Sequence, residues 1–139
     1  MALLTIFSAP KPFSDPHINI IQRNAIQSWL QLGNEVEVLL IGNEAGIHEI
    51  TEEFNIRQLQ DVVCNASGTP LVSSIFEQAY QASAAPILAY VNADIILLPD
   101  FVSAAKSASK QEEHFLIVGQ RWDLEVNANM DFSLSLIHI

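Results

Sequence analysis

The 139-residue chain is half hydrophobic and carries sixteen acidic against six basic side chains, for a formal net charge of -10. That length and composition suit one globular domain or part of one. The acidic excess argues against nucleic acid or an anionic membrane as partner, because both reward clustered Lys and Arg. Any phosphate-bearing ligand would need backbone N–H groups, a few basic side chains or a metal ion.

Cys64 is the only cysteine, which excludes an internal disulfide and a thiolate metal cluster and favours a reducing, cytoplasmic setting. The opening "MALLTIFSAPKPF" lacks a basic n-region and a cleavage-site pattern. No apolar stretch reaches the roughly 18 residues of a membrane span.

In chain order, "ALLTIFSAP" is a short apolar run with β-branched residues, stopped by Pro10 and Pro12, and predicts a first strand. "SDPHINIIQRNAIQSWLQLG" predicts a helix: Ser14 or Asp15 caps it, Pro16 sits in its first turn, and Ile18, Ile21, Ala25, Trp29 and Leu32 recur at helical spacing up to Gly33. "VEVLLIG" (36–42) predicts a second strand, apolar enough to be covered on both faces of a parallel sheet. "EAGIHEITEEFN" predicts a second helix and "IRQL" a third strand. The turn-rich "QDVVCNASGTP" follows. Next comes a helix from Leu71, with Thr69 as N-cap, Pro70 at its first position, and Leu71, Ile75, Ala79 and Ala82 on one face. "PILAYVN" predicts a fourth strand, residues 99–109 a further helix, and "HFLIVGQRW" (114–122) a fifth strand. This alternation predicts an α/β fold, a three-layer α/β/α sandwich around a mostly parallel sheet with right-handed crossovers.

The last six residues, "LSLIHI" (134–139), have no turn or cap pattern around them. They are what CTG TCT CTT ATA CAC ATC encodes, the end of a transposon adapter used in preparing sequencing libraries. The expectation is that residues 134–139 are adapter read-through and residues 1–133 a partial domain; the other reading is a genuine terminal strand.

Ligands of open α/β sheets bind outside the carboxyl ends of the strands. That rule selects Ser8 to Lys11, Gly42 to Glu44, Asp61 to Pro70 and Asn92 to Asp94, all expected on one edge of the sheet. No GxGxxG follows the first strand, and neither GxxxxGK[ST] nor GxSxG occurs. His17, His48 and His114 lack metal-ligand spacing and read as surface or capping residues. Cys64, without a basic neighbour, reads as a small filler. In "YVNADIILLPD", Asn92 and Asp94 stand at i and i+2, so on an extended segment both side chains point the same way and could share one hard cation, Mg²⁺ or Mn²⁺. A strand end running into a turn would use the same residues.

Taken together, Asn65 to Gly68, the helix from Leu71, "ILAYVNADI" and Leu98-Pro99-Asp100-Phe101 resemble the N-terminal nucleotide-sugar-binding half of a GT-A glycosyltransferase of the family 2 type, over about residues 2–122. The resemblance implies a Rossmann-like GT-A fold incomplete at its C-terminus, and an enzyme that moves a sugar from a nucleoside-diphosphate sugar to an unknown acceptor. It implies that Asp94, the second acid of the family's DxD motif, contacts a metal bridging the donor's diphosphate. Asn92 stands where the family has the first acid, which removes one charge. The resemblance further puts Ala9 and Pro10 near the nucleoside and Glu44 near the base. Gly68, Thr69 and Ser73 fall near uridine or ribose, and Arg121 and Trp122 near donor sugar or acceptor. The family's catalytic carboxylate lies downstream of anything in these residues, so Asp123 and Glu125 receive no such role, and the chain as it stands is expected to be inactive.

Two other readings compete. A sugar-nucleotide pyrophosphorylase would want a glycine-rich basic loop after the first strand, and "SAPKPFSDP" has no glycine and only Lys11. A non-catalytic α/β binding module would use Asp94 as a turn residue.

Overall fold

The computed structural model describes residues 2–121, 123, 125 and 127–130; the suspected read-through tail and Trp122 lie outside them. The elements run β1 (Leu4–Ser8), α1 (Pro16–Leu30), β2 (Val36–Ile41), α2 (Ile47–Phe54), β3 (Arg57–Leu59), α3 (Val72–Ala82), β4 (Ile87–Tyr90) and α4 (Asp100–Gln111). The four strands form one sheet in the order β3-β2-β1-β4. Every pairing is parallel, with Leu4 opposite both Val36 and Ile87. The molecule is thus an α/β fold with an all-parallel sheet.

Strand alternation divides the core. Leu4 and Ile6 of β1, with Val38 and Leu40 of β2, face Ala25, Ile26 and Trp29 of α1 and Ile47 and Ile50 of α2. Phe7, Leu39 and Ile41 face the other way, onto Ile75 and Ala79 of α3. Successive strand side chains point to opposite sides, so a central strand covered on both needs apolar residues at nearly every position. β1 meets this demand, with all five of its residues buried, and each large side chain so placed contributes about 1.5–3 kcal/mol.

The helix ends have local causes. The Asp15 carboxylate accepts from the N–H groups of His17 (2.9 Å) and Ile18 (3.0 Å), and Pro16 opens α1 where a missing N–H costs nothing. Gly46, at φ 88°, precedes α2, and a Cβ there would come within 2.7 Å of the Phe13 side chain. The Phe13 N–H also donates to the Ala45 carbonyl at 2.7 Å, so the loops after β1 and β2 are pressed together.

α3 departs from expectation at its start. Thr69 does not cap it and Pro70 is not its first residue; Leu71 holds the cap position without a side-chain bond. Thr69 is committed elsewhere. Its N–H donates to Asn65 Oδ1 and its carbonyl accepts from the Asn65 N–H, while the Leu71 N–H reaches the Val63 carbonyl. The Asn65 side chain therefore closes a compact turn, and the helix begins after it.

The fifth strand is also absent: the described part of 114–122, residues 114–121, has no strand pairing, and Leu116 and Val118 are 88% and 85% exposed. Crossover handedness supplies a reason. α1 and α2 lie on one side of the sheet and step it from β1 to β2 to β3, whereas α3 lies on the other side and steps back past β1 to β4. Phe101 of α4 packs into the same cluster as α1 and α2. A parallel strand after α4 with the same hand would step from β4 towards β1, whose place is taken. The free side of β4 would need the opposite hand, which about 98% of such connections avoid.

Asp15→Ala should lower unfolding stability by about 1 kcal/mol with an unchanged urea m-value; a loss below about 0.3 kcal/mol would show that the cap contributes nothing. Tyr90 gives a pH test. Its ring lies 5.6 Å from that of Phe7 and 5.5 Å from that of Phe76, and burial raises its phenol pKa above the ordinary 10.0. The unfolded chain then loses this proton first, so the contribution of Tyr90 to stability is constant below pH 10 and falls as pH rises from there through the folded value. Tyr90→Phe should flatten the part of that decline above pH 10 that Tyr90 causes, and identical alkaline profiles for the two proteins would contradict the assignment.

Candidate functional site

Because every strand is parallel, the four carboxyl-end loops do gather on one edge of the sheet. The switch point lies between β1 and β4: the chain leaves β1 towards β2 and β3, and returns through α3 to β4 on the other side. Ligands of open α/β sheets bind at such a point, outside the carboxyl ends of the strands.

Asn92 and Asp94 stand at that place but not in the expected conformation. β4 ends at Tyr90, and the Ile95 N–H donates to the Asn92 carbonyl at 3.1 Å, closing a turn through Ala93 and Asp94. Burial nevertheless alternates through the turn: Val91 and Ala93 enter the core cluster on the α1 side, and Asn92 and Asp94 face out. Both are exposed. The turn is held from behind by α1, where Trp29 Nε1 donates to the Ile95 carbonyl at 2.9 Å and Ser28 Oγ accepts from the Leu97 N–H at 3.0 Å.

A cleft of about 850 Å³ opens beside this turn, walled by α1, by residues 94–98, by the start of α4 and by the segment after it. Its lining carries four carboxylates, Asp94, Asp100, Asp123 and Glu125, against Arg121 and His17. Arg121 Nε donates to Asp123 Oδ1 at 3.3 Å with both side chains largely exposed, a pairing worth at most about 1 kcal/mol. Arg121 therefore remains available to an anionic ligand.

Of the residues singled out from sequence, Asp94 and Arg121 meet in this cleft. Asn92 adjoins it through the turn. Ala9 is half-buried and Pro10 buried at the end of β1, and Glu44 is half-buried beyond β2. Gly68, Thr69 and Ser73 are exposed in the Asn65 turn and on α3. They belong to the side of the sheet covered by α3, whereas the cleft opens on the side covered by α1. Ser74, next to Ser73, is the buried serine and accepts from the Val63 N–H at 2.9 Å. Cys64 is exposed, not a filler, because the Asn65 turn lifts it off the core.

Three cleft residues escaped the sequence reading. His17 was set aside for want of ligand spacing, Asp100 appeared only within a proline–aspartate motif, and Asn24 lay on what reads as the polar side of α1. At the carboxyl end of β1, the buried Ser8 hydroxyl has no hydrogen-bond partner among the described residues.

Among the described residues no group of three or more His, Cys, Asp and Glu side chains is placed to hold a metal ion. Asp94 offers one carboxylate and Asn92 one amide oxygen. Mg²⁺ and Mn²⁺ with a diphosphate require few protein ligands, since phosphate oxygens and water supply the rest. Comparison with protein-family models and with curated protein sequences returns no match for this chain.

Proposed function

We propose that the chain is the donor-binding part of a nucleotide-sugar-dependent glycosyltransferase of GT-A type, with its helices and sheet arranged as the three-layer sandwich of that fold. The observation that carries this reading is Asp94. It stands just past the carboxyl end of β4, beside the β1/β4 switch point, and lines a cleft that also contains Arg121.

The cleft's charge supports a metal-dependent ligand. Four carboxylates against one guanidinium repel a bare diphosphate, so the diphosphate of a nucleoside-diphosphate sugar would enter together with a divalent cation. Bound there, Mg²⁺ or Mn²⁺ supplies Lewis-acid neutralisation of the charge that develops on the leaving diphosphate. Asp94 would hold one coordination position, and Asn92 would offer an uncharged amide oxygen. Arg121 donates to a phosphate or sugar oxygen as it is released from Asp123. The base that deprotonates an acceptor is not assigned to any residue here.

Thermal unfolding with UDP or GDP, each with and without Mn²⁺, tests the reading. A nucleotide at 100 times its Kd should stabilise the protein by about 2.7 kcal/mol, and only when Mn²⁺ is present. Asp94→Ala should abolish the shift, and Asn92→Asp, which restores a second carboxylate, should lower the Mn²⁺ concentration required. If neither nucleotide stabilises the protein with Mn²⁺, the chain is better read as a non-catalytic α/β module.

A further inference from the structure

Asn24 lies on α1 and is wholly buried. A carboxamide so placed costs free energy unless both its donor and its acceptor are used. Both are used by a segment more than 100 residues away: Asn24 Nδ2 donates to the Ala128 carbonyl at 2.9 Å, and Asn24 Oδ1 accepts from the Met130 N–H at 2.9 Å. Swapping the amide's oxygen and nitrogen would set donor against donor and acceptor against acceptor, so the orientation is fixed by the pair.

The rest of that segment is held by little else. Every described residue from 112 to 129 is exposed. Among the described residues, the hydrogen bonds that join residues 113–130 to the remainder of the chain are the two made by Asn24. Those same residues bring Arg121, Asp123, Glu125 and Asn127 to the cleft wall facing Asp94 and Asp100.

We propose that Asn24 is a latch: its carboxamide docks residues 128–130 on α1 and so fixes the position of the cleft-lining residues Arg121, Asp123 and Glu125 that precede them. The side chain imitates a strand neighbour, offering one acceptor and one donor to the carbonyl and N–H that flank Asn129 on one side of the backbone. It is a positioning residue for the cleft wall, and its role does not depend on which ligand the cleft takes.

Amide hydrogen exchange on the ligand-free protein tests the latch. In the unaltered chain the Met130 amide should be protected at least about tenfold relative to the amides of residues 115–120, which have no partner among the described residues. Asn24→Leu, of similar volume and without a polar group to strand, should keep the fold while the Met130 amide loses that protection; the β1 amides should be unaffected. Equal exchange at Met130 and residues 115–120 in the unaltered chain overturns the latch without any variant. So does a Met130 amide that stays protected in Asn24→Leu.

Discussion

The complete burial of β1 is the constraint on which the rest of this molecule depends. Leu4 to Ser8 pair in parallel with β2 on one side and β4 on the other, and their side chains reach into both clusters of the core. Once β1 is central, its neighbours need crossovers, and crossovers of one hand assign α1 and α2 to one side and α3 to the other. The switch point between β1 and β4 is a consequence. So is the fate of "HFLIVGQRW", whose strand-like composition finds no place beside β4 that a right-handed connection can reach.

α1 converts that arrangement into a cleft, and it does so with buried polar side chains. The Gln22 carboxamide exchanges two hydrogen bonds with the Lys11 backbone, at 2.8 and 3.0 Å. Ser28 and Trp29 hold residues 95 and 97, and Asn24 holds residues 128 and 130. Three loops from distant parts of the sequence are thereby fixed to one helix. Each of these groups would cost about 1–3 kcal/mol if left unpaired in the interior, so the helix and its loops stabilise one another or neither is in place. Apolar contacts could supply comparable energy, but a hydrogen-bonded amide also sets the register of the loop it holds.

This division explains which features were legible in the sequence. Strand and helix positions follow from period and from caps whose chemistry is local, as with Asp15 and Pro16 before α1 or Asn55 in the left-handed region after α2. Gln22, Asn24 and Ser28 fall between the apolar positions of the helical repeat, where polar residues ordinarily face water. Little local distinguishes them from a solvated face, because the loop partners they hold lie from 11 to 106 residues away. Thr69 misleads for the opposite reason: its signal is local and correct in kind, yet Asn65 competes for the same backbone and wins. Asn92 and Asp94 fall just past the end of β4, where the backbone turns while burial still alternates through Val91 and Ala93.

Charge sets the remaining condition on the cleft. Its walls come from separate elements, and each brings acid: Asp94 from the turn, Asp100 from the start of α4, Asp123 and Glu125 from the segment that Asn24 holds. Closing that segment draws like charges together, a cost that falls with salt and with any bound cation. The latch and a bound cation would therefore act in the same direction. Asn24 holds the segment through its two backbone hydrogen bonds, and a divalent ion would favour the same arrangement by neutralising the carboxylates. A ligand of the same sign as the walls could exploit this only by bringing the ion along. On the proposed reading, cation and anion would therefore arrive as a pair.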